Sequence, residues 1–264
     1  VSADPARFAH LVWRGAPLRL EYAWVGAAAS ATPPVVFLHE GLGSVAMWKD
    51  FPARFCAEHG LRGLAFSRYG YGRSTPKPPG ERWAPDFMHA QAHEVLPALF
   101  AQLGVERPWL FGHSDGGSIA LLHAARFDVA GVVAVAPHLF VEAVSIASIE
   151  QARDAFDAGI LRTGLAKYHD DPDSAFRGWN DAWLNPAFRR WNIEAEIDTI
   201  RAPVLAVQGE DDAYGTLAQI RAIQARLTKT RLCAIPKCGH SPHRDQPERL
   251  GTEAARFILE HSTS

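Results

Sequence analysis

Cysteine is scarce in this chain: Cys56, Cys233 and Cys238 are the only three in 264 residues. An odd number, wide spacing and no Cys-x-x-Cys pair argue against a disulfide framework or a thiolate zinc site. Cys233 and Cys238 could face each other, but the residues between them read as the end of a strand. A marked excess of positive or negative charge is missing too. Lys and Arg number 27 against 29 Asp and Glu, a formal net charge of −2, with no basic run. The composition therefore gives no electrostatic footprint for nucleic acid or an anionic membrane. No stretch approaches the ~20 apolar residues of a spanning helix, and residues 1–10 hold no apolar segment of signal-peptide length. A cytoplasmic, thiol-reducing location is the expectation. The first residue is Val1 rather than Met, which leaves a removed leader open. Internal repeats, metal-ligand clusters and phosphate-cradling glycine loops are absent as well, so neither a metal nor a nucleotide cofactor is expected.

The remaining composition is ordinary for a globular protein, 47% apolar and 21% charged. The length sits near the upper end of what one core serves, so one core domain with an insertion is expected. Short runs rich in Val, Leu, Ile and Phe at 35–39, 63–67, 109–113, 131–136, 204–208 and 232–235 read as buried strands. Between them, 87–103 shows helical spacing, with Pro85 and Asp86 as a plausible cap, Pro97 as a kink or boundary, and Gly104 as its end. Strands alternating with helices imply right-handed crossovers: an α/β fold whose mostly parallel central sheet carries helices on both faces. Residues 11–25, with Gly15 and Pro17 in the middle, read as an antiparallel hairpin at one edge. The rhythm breaks after Pro137. From His138 to about Ile197 only helical pieces occur, such as 148–159, with turns around 170–185. The expected organisation is a core from 1–137 and 199–264, and an all-helical lid at 138–198 over the carboxyl ends of the strands.

Gly112-His113-Ser114-Asp115-Gly116 matches Gly-x-Ser-x-Gly, with an apolar strand before it and a helical run after it. That context is what a nucleophile needs: a hydroxyl at the tip of a tight strand-to-helix turn, near unsatisfied N–H groups at a helix start. Ser114 is the expected nucleophile. Of 12 histidines, His10, His59, His89, His93, His123, His169 and His261 are assigned to helices or polar loops. His240, in Cys238-Gly239-His240-Ser241-Pro242 after a strand, is the expected base, with His243 as its close competitor. The acid that orients it should follow strand 204–208, where Glu210, Asp211 and Asp212 stand together. The order Ser, Asp, His along the chain suits this type of sheet.

With these motifs the sequence resembles the α/β-hydrolase superfamily, in its small esterase, lactonase and carbon–carbon hydrolase branch with a helical cap. The resemblance covers nearly the whole chain. It rests on Leu38-His39-Glu40-Gly41-Leu42-Gly43, on Ser67-Arg68-Tyr69-Gly70-Tyr71-Gly72-Arg73-Ser74, on the Gly209 to Asp212 spacing, and on Gly239 to Pro242. It selects Asp212 over Asp211. It also implies an oxyanion hole from the N–H of Asp115 and that of Gly41, with Leu42 as the alternative donor. Three residues depart from the family pattern. Glu40 replaces a usual Gly, Ser67 a frequent Asp, and Asp115 a commoner apolar residue or Gln. Asp115 is expected either to cap the following helix or, like Glu40, to touch polar groups of the substrate.

The candidates for substrate contact are His39, Glu40, Leu42, His113, Phe140 and Trp183. Phe140, Phe156, Tyr168, Phe176, Trp179, Trp183, Phe188 and Trp191 make the insertion aromatic, mostly for packing, with some apolar surface left for the cleft. The expected activity is hydrolysis of a small to medium hydrophobic or aromatic carboxylic ester through an acyl-enzyme. A carbon–carbon hydrolase or lactonase of aromatic-compound breakdown, and a slow-turnover ligand receptor on the same scaffold, are the alternatives. The partner is a small molecule; the oligomeric state is open.

Overall fold

A computed structural model describes residues 7–262; part of the reading of residues 1–10 lies outside them. Eight strands form one sheet: β1 (Arg7–Trp13), β2 (Ala16–Gly26), β3 (Val35–Leu38), β4 (Arg62–Phe66), β5 (Trp109–His113), β6 (Gly131–Val135), β7 (Val204–Gly209) and β8 (Thr230–Ile235). Their order across the sheet is β1-β2-β4-β3-β5-β6-β7-β8. From β4 to β8 all neighbours are parallel, while β1–β2 and β2–β4 are antiparallel, so the hairpin sits at the edge.

The central strands are apolar without interruption because both of their faces are covered. Val36, Leu38, Leu110, Val132 and Ala206 point into one core cluster; Val35, Phe37, Phe111, Val133 and Val207 point into the other. Among the described residues ten α-helices pack around the sheet: α1 (Phe51–Glu58), α2 (Phe87–Ala90), α3 (Leu96–Leu103), α4 (Asp115–Ala124), α5 (Ala143–Asp157), α6 (Ile160–Leu165), α7 (Pro172–Trp183), α8 (Ala218–Arg226), α9 (Pro242–Asp245) and α10 (Pro247–Ser262). Ile119 and Leu122 of α4 fill the first cluster, Phe55 of α1 and Phe257 of α10 the second. No helix among the described residues is long and apolar enough to cross a membrane. All three cysteines are free thiols.

Several local expectations change. The helical stretch after Asp86 is interrupted by a π-helical segment, Gln91–Val95, just before the turn that holds Pro97. Proline has no N–H to donate, and a wider turn is one way a helix absorbs that loss. Asp86 makes no side-chain capping bond. α5 begins at Ala143, not at 148, and His10 lies on β1 rather than on a helix or loop.

The connection from β6 to β7 is helical. Its most amphipathic piece, α7, is started by Asp171, whose carboxylate accepts from the N–H of Ser174 at 2.8 Å. Phe176, Trp179 and Trp183 of α7 are buried, and the connection is tied to the strand-end loops. His169 accepts from the N–H of Gly72 (2.8 Å) through Nδ1 and donates to the carbonyl of Leu42 (3.0 Å) through Nε2. These contacts place α7 over the carboxyl ends of β3, β4 and β5.

Candidate active site

Ser114 is the single residue between β5 and α4, with φ 53° and ψ −120°. That strained, left-handed backbone lifts its side chain out of the turn, and such strain in a non-glycine residue costs roughly 1–3 kcal/mol. The surroundings enforce it: the Ser114 N–H donates to the carbonyl of Val135 at 2.9 Å. At Gly116, a Cβ would meet the carbonyl oxygen of Leu38 at 2.1 Å, so only glycine allows α4 to pack this closely on β3.

The loop after β8 carries His240 back over the sheet. Its Nε2 lies 3.0 Å from Ser114 Oγ, and its Nδ1 lies 2.9 Å from each carboxylate oxygen of Asp212. Asp212 stands in the turn after β7 and also accepts from the N–H of Tyr214 (2.7 Å) and the amide of Gln208 (2.6 Å). Burial pushes the Asp212 carboxyl up. The hydrogen bond and charge of His240 and the Tyr214 N–H outweigh burial and hold it below its usual value. An ionised acceptor on Nδ1 keeps the proton there and leaves Nε2 free to take one from Ser114. Asp211 is exposed. His243 is buried against Trp48 and His113 with neither ring nitrogen bonded.

A cavity of about 210 Å³ opens on Ser114 and His240. Glu40, Gly41, Leu42, Asp115 and Trp183 line it, as do Met47, His138, Ile149, Trp179, Tyr214, Ser241 and Arg244. His138 follows the end of β6, a position that strand-end reasoning could have flagged. Trp179 shares the helical face of Phe176 and Trp183. For Met47, Ile149, Tyr214 and Arg244 no sequence signal exists.

Three expected contacts do not reach the cavity. His39 is fully buried beneath its loop: Nδ1 donates to the carbonyl of Glu40 (2.7 Å), and Nε2 accepts from the N–H of Arg68 (3.0 Å). His113 is equally buried, as the fully covered end of a central strand must be, and donates through Nε2 to the carbonyl of His240 at 2.7 Å. Phe140 is engaged in a backbone bridge with Asn192 and packs on the core. Asp115 does not cap α4; the capping position belongs to Ser114. Its carboxylate is 1% exposed, accepts from the indole N–H of Trp183 at 3.1 Å and lies 3.8 Å from Arg68. Burial pushes it up to about 6, against the pull of the Arg68 guanidinium. A larger cleft of about 520 Å³, walled by Trp13, Tyr69, Trp83 and Phe87, has no Ser, Cys or His in its lining and so no nucleophile–base pair.

A sequence profile described as the alpha/beta hydrolase family matches residues 35–252. The chain belongs to the alpha/beta hydrolase family. Among curated relatives, a bifunctional esterase/perhydrolase of Acinetobacter calcoaceticus is 25% identical over 258 residues, covering 85% of this chain and 91% of that protein. In three dimensions the chain is similar to a proline iminopeptidase of Mycobacterium smegmatis, with a TM-score of 0.77 at 17% identity over 97% of this chain and 99% of that one. It is also similar to an enol-lactonase of Burkholderia xenovorans LB400, with a TM-score of 0.72 at 18% identity, covering 95% of this chain and 100% of that chain. As an alpha/beta hydrolase it departs from the family pattern at Ser67 for a visible reason. The Ser67 hydroxyl donates to Glu21 (2.7 Å) and accepts from the N–H of Val45 (2.9 Å), so it ties β2 to the loop after β3.

Proposed function

We propose that this hydrolase cleaves carboxylic esters of small to medium hydrophobic acyl or alkyl groups through an acyl-enzyme on Ser114. The observation that carries the reading is the continuous relay Ser114 Oγ, His240 Nε2, His240 Nδ1, Asp212, with contacts of 3.0 and 2.9 Å, at a cavity whose wall includes Leu42, Met47, Ile149, Trp179 and Trp183. Ser114 attacks the ester carbonyl while His240 removes its proton. Asp212 stabilises the imidazolium that forms. The tetrahedral oxyanion is met by the N–H of Asp115, which as the first residue of α4 has no intrahelical partner. The second donor is the N–H of Gly41, with that of Leu42 as the alternative. His240 then returns the proton to the leaving alkoxide, and water attacks the acyl group by the same route.

In this reading residues 138–198 act as the lid, and α7 supplies the apolar wall through Trp179 and Trp183. Leu42, Met47, Ile149 and Tyr214 complete a pocket suited to a short acyl chain. Pre-steady-state hydrolysis of aryl acetate and butyrate esters tests the proposal. A burst equal to the enzyme concentration, followed by steady turnover, is expected. Turnover only on a lactone or a vinylogous diketone acid moves the reaction to the lactonase or carbon–carbon class. Tight binding with turnover below about one per minute identifies a receptor instead.

A further inference from the structure

Glu40 departs from the family pattern and lines the cavity, yet its carboxylate is engaged elsewhere. One oxygen faces Nδ1 of His113 at 3.5 Å, and the other faces Nη2 of Arg244 at 3.5 Å. The backbone of Glu40 is fixed, since its carbonyl accepts from Arg68 Nη2 (2.8 Å), His39 Nδ1 (2.7 Å) and the N–H of Gly43 (3.1 Å).

We propose that Glu40 is a positioning residue: its carboxylate pairs as an ion with a His113 ring protonated at both nitrogens, and His113 in turn holds the carbonyl of His240 and so ties the base loop to the oxyanion loop. This rests on the reading of His240 as general base.

Nε2 of His113 lies 2.7 Å from a carbonyl oxygen, which can only accept, so Nε2 carries a hydrogen. In a neutral ring, Nδ1 then presents a lone pair to the Glu40 carboxylate, and Nδ1 has no hydrogen-bond partner. Two buried lone pairs facing each other repel. A proton between them turns the contact into an ion pair and leaves the Nε2 hydrogen bond intact. Burial raises the Glu40 carboxyl, but the hydrogen bond and charge of His113 and the charges of His243 and Arg244 pull it well below its usual value.

The charged and titratable groups around the pair come from every packed element. Asp115 belongs to the elbow and Arg68 to the loop after β4; His39 precedes Glu40, and His138 follows β6. His240, His243 and Arg244 stand on the base loop and α9, and His169 lies on the β6–β7 connection. Through His113 and Arg244, one carboxylate therefore straps together the two loops that must stay in register during acyl transfer.

The test compares the parent with Glu40→Leu and Glu40→Gln. In Gln, the amide N–H donates to a singly protonated His113, which restores the geometry without an ionisable proton. Misplacement of a reacting group by about 1 Å costs on the order of a hundredfold, so Glu40→Leu should lose about that much in kcat with little change in KM. Glu40→Gln should recover most of the loss. Nitrogen-15 spectra of the parent, whose reading does not depend on any substrate, should show His113 protonated at both nitrogens at neutral pH. A singly protonated His113, or a Gln variant no better than Leu, overturns the proposal. If Glu40→Leu does not fold, the spectra and the kcat of Glu40→Gln decide. A wild type with doubly protonated His113 but no ester hydrolysis supports the strap and refutes the ester reading, so the two failures are distinct.

Discussion

The indole nitrogen of Trp179 lies so close to Gly41 that a Cβ at position 41 would sit 2.1 Å from it. Helix α7 is thereby seated directly on the loop proposed to carry the second oxyanion donor.

That contact predicts the behaviour of Gly41→Ala. The added methyl must push Trp179 or the loop aside, so kcat should fall by about ten- to a hundredfold and the melting temperature should drop. Combining it with Trp179→Ala removes the clash, and the double variant should lose less than the sum of the two single losses. Kinetics and melting curves on the four proteins measure the coupling.

Asp212→Asn keeps the shape of the relay but favours the wrong tautomer of His240, and kcat should fall by about 10³–10⁴. Because the folded-state pKa of Asp212 lies below the ordinary value, its charge stabilises the fold above the ordinary aspartate pKa of about 4. That contribution disappears as pH falls through the lower, folded-state value. Melting curves on both proteins should show the parent losing ground to Asp212→Asn on acidification.

Asp115 has the opposite sign. Its folded-state pKa is raised to about 6, so its favourable contribution is complete below the ordinary aspartate value and is lost as pH rises through about 6. Asn in its place keeps an acceptor for Trp183 without the buried charge. The stability of Asp115→Asn relative to the parent should therefore improve from acid to neutral pH, by on the order of 1–3 kcal/mol. A flat difference across that range would show that the Arg68 pair fully compensates the charge.

The size of the cavity, about 210 Å³, sets the acyl preference. Butyryl esters should be turned over faster than dodecanoyl esters. Ile149→Ala, which shortens a cavity wall, should shift the optimum toward longer chains, read as the ratio of kcat/KM values across an ester series. A parent that prefers the dodecanoyl ester contradicts an enclosed pocket.

The sheet was legible because buried parallel strands are continuous apolar runs. The expected run at 109–113 coincides with β5, and the other core strands differ from expectation by one or two residues at an end. Ser114, His240 and Asp212 could be singled out because each follows a strand in a glycine-marked turn. The cavity wall was less legible. His39 and His113 carry motif positions, but in the structure they brace backbone carbonyls below the cavity. Ile149, Trp179 and Tyr214 reach it from elements whose meeting depends on how the β6–β7 connection folds back, which no local pattern encodes. The engagement of Glu40 with His113 and Arg244 likewise depends on side chains distant in sequence.

The central claim, that His240 and Asp212 make the Ser114 hydroxyl reactive, is tested most directly by fluorophosphonate labelling followed by peptide mapping. The account predicts one covalent adduct, on Ser114, formed rapidly in the parent and at least about a hundredfold more slowly in His240→Ala. An adduct on another residue, or equal labelling rates in the two proteins, would contradict it.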